Sequence, residues 1–333
     1  MSISKSANRR DVLRLTAFGG VVFASNLFRS VAGCSGGSSG ANAPRPGMPR
    51  GAQEDFFFLQ LSDPHWGFSG PKVNPEPDLE LPAAIAAVNA VANPPDFVIF
   101  TGDLTHTTDD VNVRRQRMMQ FQSIAGGLNV PLVKFMPGEH DAGADGGATF
   151  KQFFGDTYYS FDHKGIHFIA LDNVSDPMAN LGAAQLDWLA SDLSHLDVES
   201  PIVVFTHRPL WPLRVDWDWT TPDGQKAIDQ LTPFHNVTVF FGHIHQELHY
   251  MTGHIPHHAA RSLMFALPPP DSDASKPNPV PWDPDHPNLN LGFRSIESAT
   301  DPGDYKVSEI SLPAPTPADG GQPPDGGAAN EQG

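Results

Sequence analysis

The chain has 333 residues, and its Pro, Gly, Ser and Ala-rich ends leave roughly 260 for a folded core, enough for one domain with a large interior. Lys+Arg 21 against Asp+Glu 38 gives a net charge of −17, which argues against a nucleic-acid groove or an anionic-membrane face. A single cysteine rules out an intrachain disulfide, and 33 prolines with 30 glycines point to long connections around a compact sheet core rather than a helical bundle.

Residues 1–34 read as an address. Arg9-Arg10, followed by Val12, Leu13 and Arg14, opens a moderately apolar run from Leu15 to Phe28 that is too short and interrupted for a membrane span. The pattern resembles a twin-arginine export signal. Cys34 closes Val31-Ala32-Gly33-Cys34, which resembles the box at which bacterial lipoproteins are cleaved and lipidated, so the expected location is the periplasm or cell envelope, with a lipid anchor as the membrane contact. Residues 35–53 form a flexible linker, 54–312 the folded domain, and 313–333 a tail too poor in apolar residues to order itself.

Phe56 to Leu61 is an apolar run read as a buried strand, ending in Ser62-Asp63-Pro64-His65. An Asp-x-His pair sets an oxygen and a nitrogen donor on one side of an extended turn, within reach of one ion. Leu81, Ile85, Val88 and Ala92 recur at helical spacing, which predicts a crossover helix over 79–92. The run Phe97 to Phe100 is the next strand, completing a βαβ unit and delivering Gly102 and Asp103 to its carboxyl end, where ligands gather in open α/β sheets. A second helix is predicted from Asp109 to about Ala125.

Val130 to Met136 is the third predicted strand, followed by Pro137-Gly138-Glu139-His140-Asp141. Three consecutive ionisable groups after a strand and a glycine are poorly explained by packing, because buried carboxylates cost several kcal/mol unless paired or bound to metal. Glu139 is therefore a candidate metal ligand and His140 a candidate proton donor. Tyr158 to Phe161 and Gly165 to Leu171 predict a hairpin, and Leu186, Leu189, Leu193 and Leu196 share one face of a helix over 183–196. Pro201 to Phe205 leads to His207, Arg208 and Pro209; Asn236 to Phe241 leads to Gly242-His243-Ile244-His245. Arg208 is a candidate phosphate contact. Beyond His245 the pattern thins: Trp211, Trp217 and Trp219 are read as buried in a capping insertion or walling a crevice. His249, His254, His257 and His258 lie outside any motif. Residues 268–287 are a proline-rich excursion, and 291–297 with 305–312 a closing pair of strands.

Taken in order, Asp63-x-His65, Gly102-Asp103, Gly138-Glu139-His140-Asp141, His207 and Gly242-His243-x-His245 resemble the five signature blocks of the calcineurin-like metallophosphoesterases. The phrases LQLSDPH, FTGDLTH, MPGEHD, GAAQLDWL and GHIH are similar to the cyclic-nucleotide phosphodiesterase-like branch. Purple acid phosphatases carry a tyrosine where this chain has His106. The resemblance implies an α/β fold of two mixed β-sheets packed together with helices outside. It also implies two metal ions, iron, manganese or zinc: Asp63, His65, Asp103 and His245 on one, Asp103, Glu139, His207 and His243 on the other. The implied reaction is hydrolysis of a small phosphomonoester or phosphodiester, nucleotide-like, with His140 protonating the leaving oxygen and Asp141 orienting it. Phospholipid or pyrophosphate bonds are the alternative substrates, and a non-catalytic exported metal-binding protein is the alternative of another class.

One position departs from the family pattern. Glu139 stands where the family has asparagine, replacing a neutral oxygen donor with a carboxylate one methylene longer. The added negative charge weakens attraction for an anionic phosphate unless a trivalent ion, such as iron(III) beside a divalent partner, restores it.

Overall fold

The computed structural model describes residues 56–298 and 303–313. The expected export signal, Cys34, the linker up to residue 53 and most of the tail lie outside these residues.

Two sheets carry the fold. The first orders its strands β11-β10-β1-β2-β3, with β1 Phe57–Leu61, β2 Phe97–Thr101, β3 Val133–Met136, β10 Gly292–Ser298 and β11 Tyr305–Ser311. Strands β1, β2 and β3 run parallel, and β10 and β11 close the edge antiparallel. The second sheet orders β4-β5-β6-β7-β9-β8, with β4 Tyr159–His163, β5 Ile166–Ala170, β6 Pro201–Phe205, β7 Asn236–Phe241, β8 Leu248–Thr252 and β9 Ile255–Ala259. Its centre is parallel and its two ends are antiparallel hairpins.

Alternation along the central strands explains why their sequences are apolar throughout. Phe58 of β1 and Phe97 and Ile99 of β2 face the opposite sheet, while Leu59, Leu61, Val98 and Phe100 face outward onto helices. Phe58 and Phe97 stack at 4.7 Å, and Phe58 meets Phe168, Phe205 and Phe240 edge-on at 5.7–5.9 Å. Each such aromatic pair adds about 0.5–1.5 kcal/mol beyond its buried area, so the seam between the sheets is rigid. Outside the first sheet lie α1 (Pro77–Asn89) and α2 (Val111–Ala125); outside the second lie α5 (Gly182–Leu193) and α6 (Gly224–Leu231). The short helices α3 (Glu139–Ala142) and α4 (Ala148–Phe154) follow β3.

The predicted elements are present with shifted ends. Helix α1 starts two residues earlier than its apolar period, because Pro77 is preorganised for the first turn, and stops short of Ala92. Asp110 caps α2, accepting from the amides of Asn112 and Val113 at 2.8 and 3.3 Å. Strand β3 is three residues shorter than predicted, and Leu196 lies beyond α5. Trp211, Trp217 and Trp219 are buried, Trp211 stacking on Tyr250 at 4.6 Å, so this trio belongs to the core outside the second sheet. Among the described residues no helix is long and apolar enough to cross a membrane.

Candidate metal centre

The loops at the carboxyl ends of β1, β2, β3, β6 and β7 meet at one end of the sandwich. Backbone hydrogen bonds tie them in pairs: Asp63 N donates to Gly102 O at 3.1 Å, His65 N to Asp103 O at 2.9 Å, and Gly242 N to His207 O at 3.0 Å. Asp63, His65, Asp103, His243 and His245 all adopt left-handed φ, between 42° and 66°. Such backbone costs of order 1–3 kcal/mol per residue and persists only where the surroundings over-determine it. The glycines of two motifs permit the close approach: a side chain on Gly138 would overlap the Asp103 carboxylate, and one on Gly102, at φ 95°, the His207 ring.

Seven side chains converge there. Asp63 Oδ1 lies 3.3 Å from His245 Nε2, which lies 3.2 Å from His65 Nε2, which in turn lies 3.5 Å from Asp103 Oδ2. On the other side, Glu139 Oε2 is 2.8 Å from His207 Nε2 and Glu139 Oε1 is 2.9 Å from His243 Nδ1. Asp103 Oδ2, 3.6 Å from His207 Nε2, joins the two groups. Donor atoms about 2.0–2.2 Å from one ion and at right angles to each other lie roughly 3 Å apart, so the spacings suit two neighbouring cations.

The polar bookkeeping supports the same fit. Glu139 Oε2 and His207 Nε2 are buried and close, yet neither makes a hydrogen bond. Asp63, Asp103 and Glu139 form three carboxylates whose recorded ion pairs are all with histidines, and a buried cluster of that charge needs cations. Burial would push the Asp63 and Glu139 carboxyls up, but neighbouring histidines hold both below the ordinary carboxylate range. His207 is raised well above the usual histidine range: burial works against it, and Asp103 and Glu139 overcome that.

Outer partners fix the rings. His207 Nδ1 meets Thr101 O and His245 Nδ1 meets Phe265 O, each at 2.7 Å, which turns both Nε2 atoms into the cluster, where they could act as donors to a metal. A relay runs from Gln60 through Thr101 and Ser62 to Asp63, and Asn173 Oδ1 accepts from the amides of His207 and Arg208.

His140 sits at the edge of this cluster, with Nε2 3.9 Å from Asp103 Oδ2. Its Nδ1 accepts the Thr107 amide at 3.1 Å, so the neutral ring carries its proton on Nε2, toward the carboxylates. Burial lowers its pKa, and Asp103, Glu139 and Asp141 together raise it above the usual value.

Two expectations need correction. Asp141 does not hydrogen-bond His140. Its oxygens accept from Leu104 N, Thr105 N, Thr105 Oγ1 and Gly138 N at 2.8–3.0 Å, which clamps the β2 and β3 loops together, and its influence on His140 is electrostatic. Arg208 is not held free for phosphate: its guanidinium is paired with the carbonyl and carboxylate of Asp218 in the tryptophan loop.

Sequence reasoning left His106 and Phe265 without a role. His106 Nδ1 lies 3.4 Å from His65 Nδ1, and burial pushes its pKa down to about 4, which keeps it neutral beside that ring. Phe265 packs against both His65 and His245, at 4.9 and 4.6 Å. The position of His106 three residues after Asp103 was a usable signal; Phe265 had none. His254 and His257 bond to Phe234 O and Thr252 Oγ1, and His249 pairs with His258, all within or beside the β8–β9 hairpin.

Comparison with known proteins agrees with this geometry. The sequence profile of the calcineurin-like phosphoesterases matches residues 58–247. A serine/threonine-protein phosphatase CPPED1 of Rattus norvegicus is 28% identical over 219 residues, covering 57% of this chain and 70% of that one. The zebrafish counterpart is matched over only 57% of its length. A probable cyclic nucleotide phosphodiesterase of Rhodopseudomonas palustris is 26% identical over 225 residues, 62% of this chain and 77% of the other. Among solved structures, a dimetal phosphatase from Danio rerio superposes with a TM-score of 0.51 at 13% identity, covering 78% of this chain and 99% of that one. A purple acid phosphatase from Lupinus luteus gives 0.53 at 14% identity, with 81% and 53% coverage; at such identities the likeness speaks for the fold. With the profile spanning every loop that feeds the cluster, the chain belongs to the calcineurin-like phosphoesterase family.

Proposed function

We propose that this phosphoesterase hydrolyses small phosphomonoesters or phosphodiesters, nucleotide-like, at a two-ion centre. Asp63, His65, Asp103 and His245 hold one ion, and Asp103, Glu139, His207 and His243 the other. The carrying observation is that Asp63, His65 and His245 form one compact donor group and Glu139, His207 and His243 another, with Asp103 Oδ2 3.5 and 3.6 Å from a histidine of each and 3.9 Å from His140 Nε2. When bound, the ions supply Lewis-acid charge for the phosphoryl oxygens and a water acidic enough to attack near neutral pH. As the water oxygen bonds to phosphorus, losing a proton to solvent, and the ester P–O bond breaks, His140 in its imidazolium form gives its Nε2 proton to the leaving oxygen and reverts to the neutral ring. The Thr107 amide beside Nδ1 turns Nε2 toward the carboxylates, and Asp141 holds the loop that presents the ring.

Glu139 sets the charge of the centre. With Asp63 and Asp103 it cancels three of the positive charges of the metal pair, where an asparagine would leave one more. We assign the pair as iron(III) with a divalent partner, which restores that charge. The leader pattern of residues 1–34 supports export to the cell envelope through the twin-arginine route with lipidation at Cys34; replacing Cys34 by Ser would then release the protein from the membrane fraction.

Metal analysis followed by a panel of aryl phosphates, bis-aryl phosphates and cyclic nucleotides tests the reading. Two metals with turnover on at least one ester class is the expected result. Two metals with no turnover on any would leave a metal-binding protein that kept the fold.

A further inference from the structure

A cavity of about 180 Å³ lies where the loop before α1 meets the proline-rich excursion of residues 268–287, and none of the metal-centre side chains lines it. Glu80 of α1, only 2% exposed, is among its lining residues. Glu80 Oε1 accepts from Asn74 Nδ2 at 3.1 Å, while Oε2 is buried with no hydrogen-bond partner among the described residues. On another wall, Asn288 donates through Nδ2 to Pro313 O at 2.6 Å, and its Oδ1 is likewise buried and partnerless. Two residues that line one small cavity each carry a buried oxygen without a partner; with Glu80 ionised both are acceptors, which specifies a ligand that donates.

The rest of the lining narrows that ligand. Glu76 adds a second carboxylate, and Trp282, Pro75 and Pro287 add apolar surface. A hydrated metal ion would waste the indole and the proline rings. An organic cation with a short apolar stem uses everything: its charge against the carboxylates, its N–H groups on the two orphan oxygens, its methylenes on the rings.

We propose that this cavity is a binding site for a primary alkylammonium group, held by Glu80 and Asn288 and walled by Trp282. Burial without a counter-charge already pushes the Glu80 pKa up to about 7, as expected for a carboxyl lacking its cationic partner. A chain of contacts leads from the site to the metal centre. Asn74, which holds Glu80, also donates to Met264 O at 3.0 Å, and the next residue, Phe265, lies against His65 and His245.

Titration calorimetry of the full-length chain with n-butylammonium tests this, alongside n-butanol, tetramethylammonium and calcium as probes. Saturable one-site binding of butylammonium is expected, weakened at least about tenfold in Glu80→Gln, which loses one charge-assisted bond, and about tenfold in Trp282→Ala. Glu80→Gln keeps an oxygen for Asn74, and thermal unfolding verifies that it folds. Absence of saturable butylammonium binding, equal binding of butanol, tetramethylammonium or calcium bound as tightly, or an unchanged affinity in Glu80→Gln would each overturn the proposal.

Discussion

Two regions of this molecule are rich in histidine, and they differ in what surrounds the rings. At the carboxyl ends of the central strands, His65, His207, His243 and His245 face three carboxylates; His65, His243 and His245 sit on left-handed backbone, and His207 and His243 each leave a buried Nε2 without a hydrogen bond. On the β8–β9 hairpin, His249 is half exposed, pairs with His258 across the strands, and His257 bonds to Thr252. Ring nitrogens without a bond occur in both regions, His257 Nδ1 included; three carboxylates gathered among the rings are what separate the cluster from a polar strand edge.

The sharpest way to break this contrast is to remove the shared carboxylate. Asp103→Ala should strip both metals and cost at least about 10³-fold in kcat/KM, whereas His249→Ala should alter neither metal content nor rate. Metal analysis of the two variants side by side makes the comparison. Next in size, His140→Ala should lose about 10²–10⁴-fold on alkyl phosphates and much less on activated aryl phosphates, whose leaving groups need no proton. Equal losses on both substrates, measured under matched metal loading, would remove His140 from the donor role. Glu139→Asn should then lower the trivalent-metal content and shift preference toward two divalent ions; unchanged metal content and unchanged phosphodiesterase rate would mean that the glutamate does not tune the centre.

The smallest expected effect lies away from the metals. Folded Glu80 keeps its proton up to about pH 7, whereas its ordinary value is 4.5. The folded chain therefore binds that proton more tightly than the unfolded one, and stability falls as pH climbs between those values. Glu80→Gln should raise the melting temperature by a few degrees at about pH 8 and leave it unchanged at about pH 4, read by thermal unfolding of the amine-free protein.

Much of the cluster was legible in the chain because its residues stand directly after apolar runs, so strand end and candidate ligand were read together at Asp63, Asp103, Glu139, His207 and His243. The closing strands were legible too, through the apolar and β-branched residues of 291–297 and 305–312. What escaped was set by contacts distant in sequence or by short, exposed pieces. Strand β8, Leu248–Thr252, is an exposed edge with no apolar alternation to mark it. Helices α4 and α6 have seven and eight residues, too short for a helical period to stand out. Arg208 looked available for phosphate because nothing local reveals that Asp218 folds back onto it. Asp141 looked like a partner of its neighbour His140, while its real partners, Leu104 and Thr105, arrive from the β2 loop.

The central claim is that seven side chains from five loops form one centre for two ions joined by Asp103. Metal stoichiometry of reconstituted wild type, His245→Ala and Asp103→Ala tests it most directly. Two ions per chain, falling to one in His245→Ala and to none in Asp103→Ala, is the expected series. A wild type that holds a single ion, or an Asp103→Ala variant that keeps both, would contradict it.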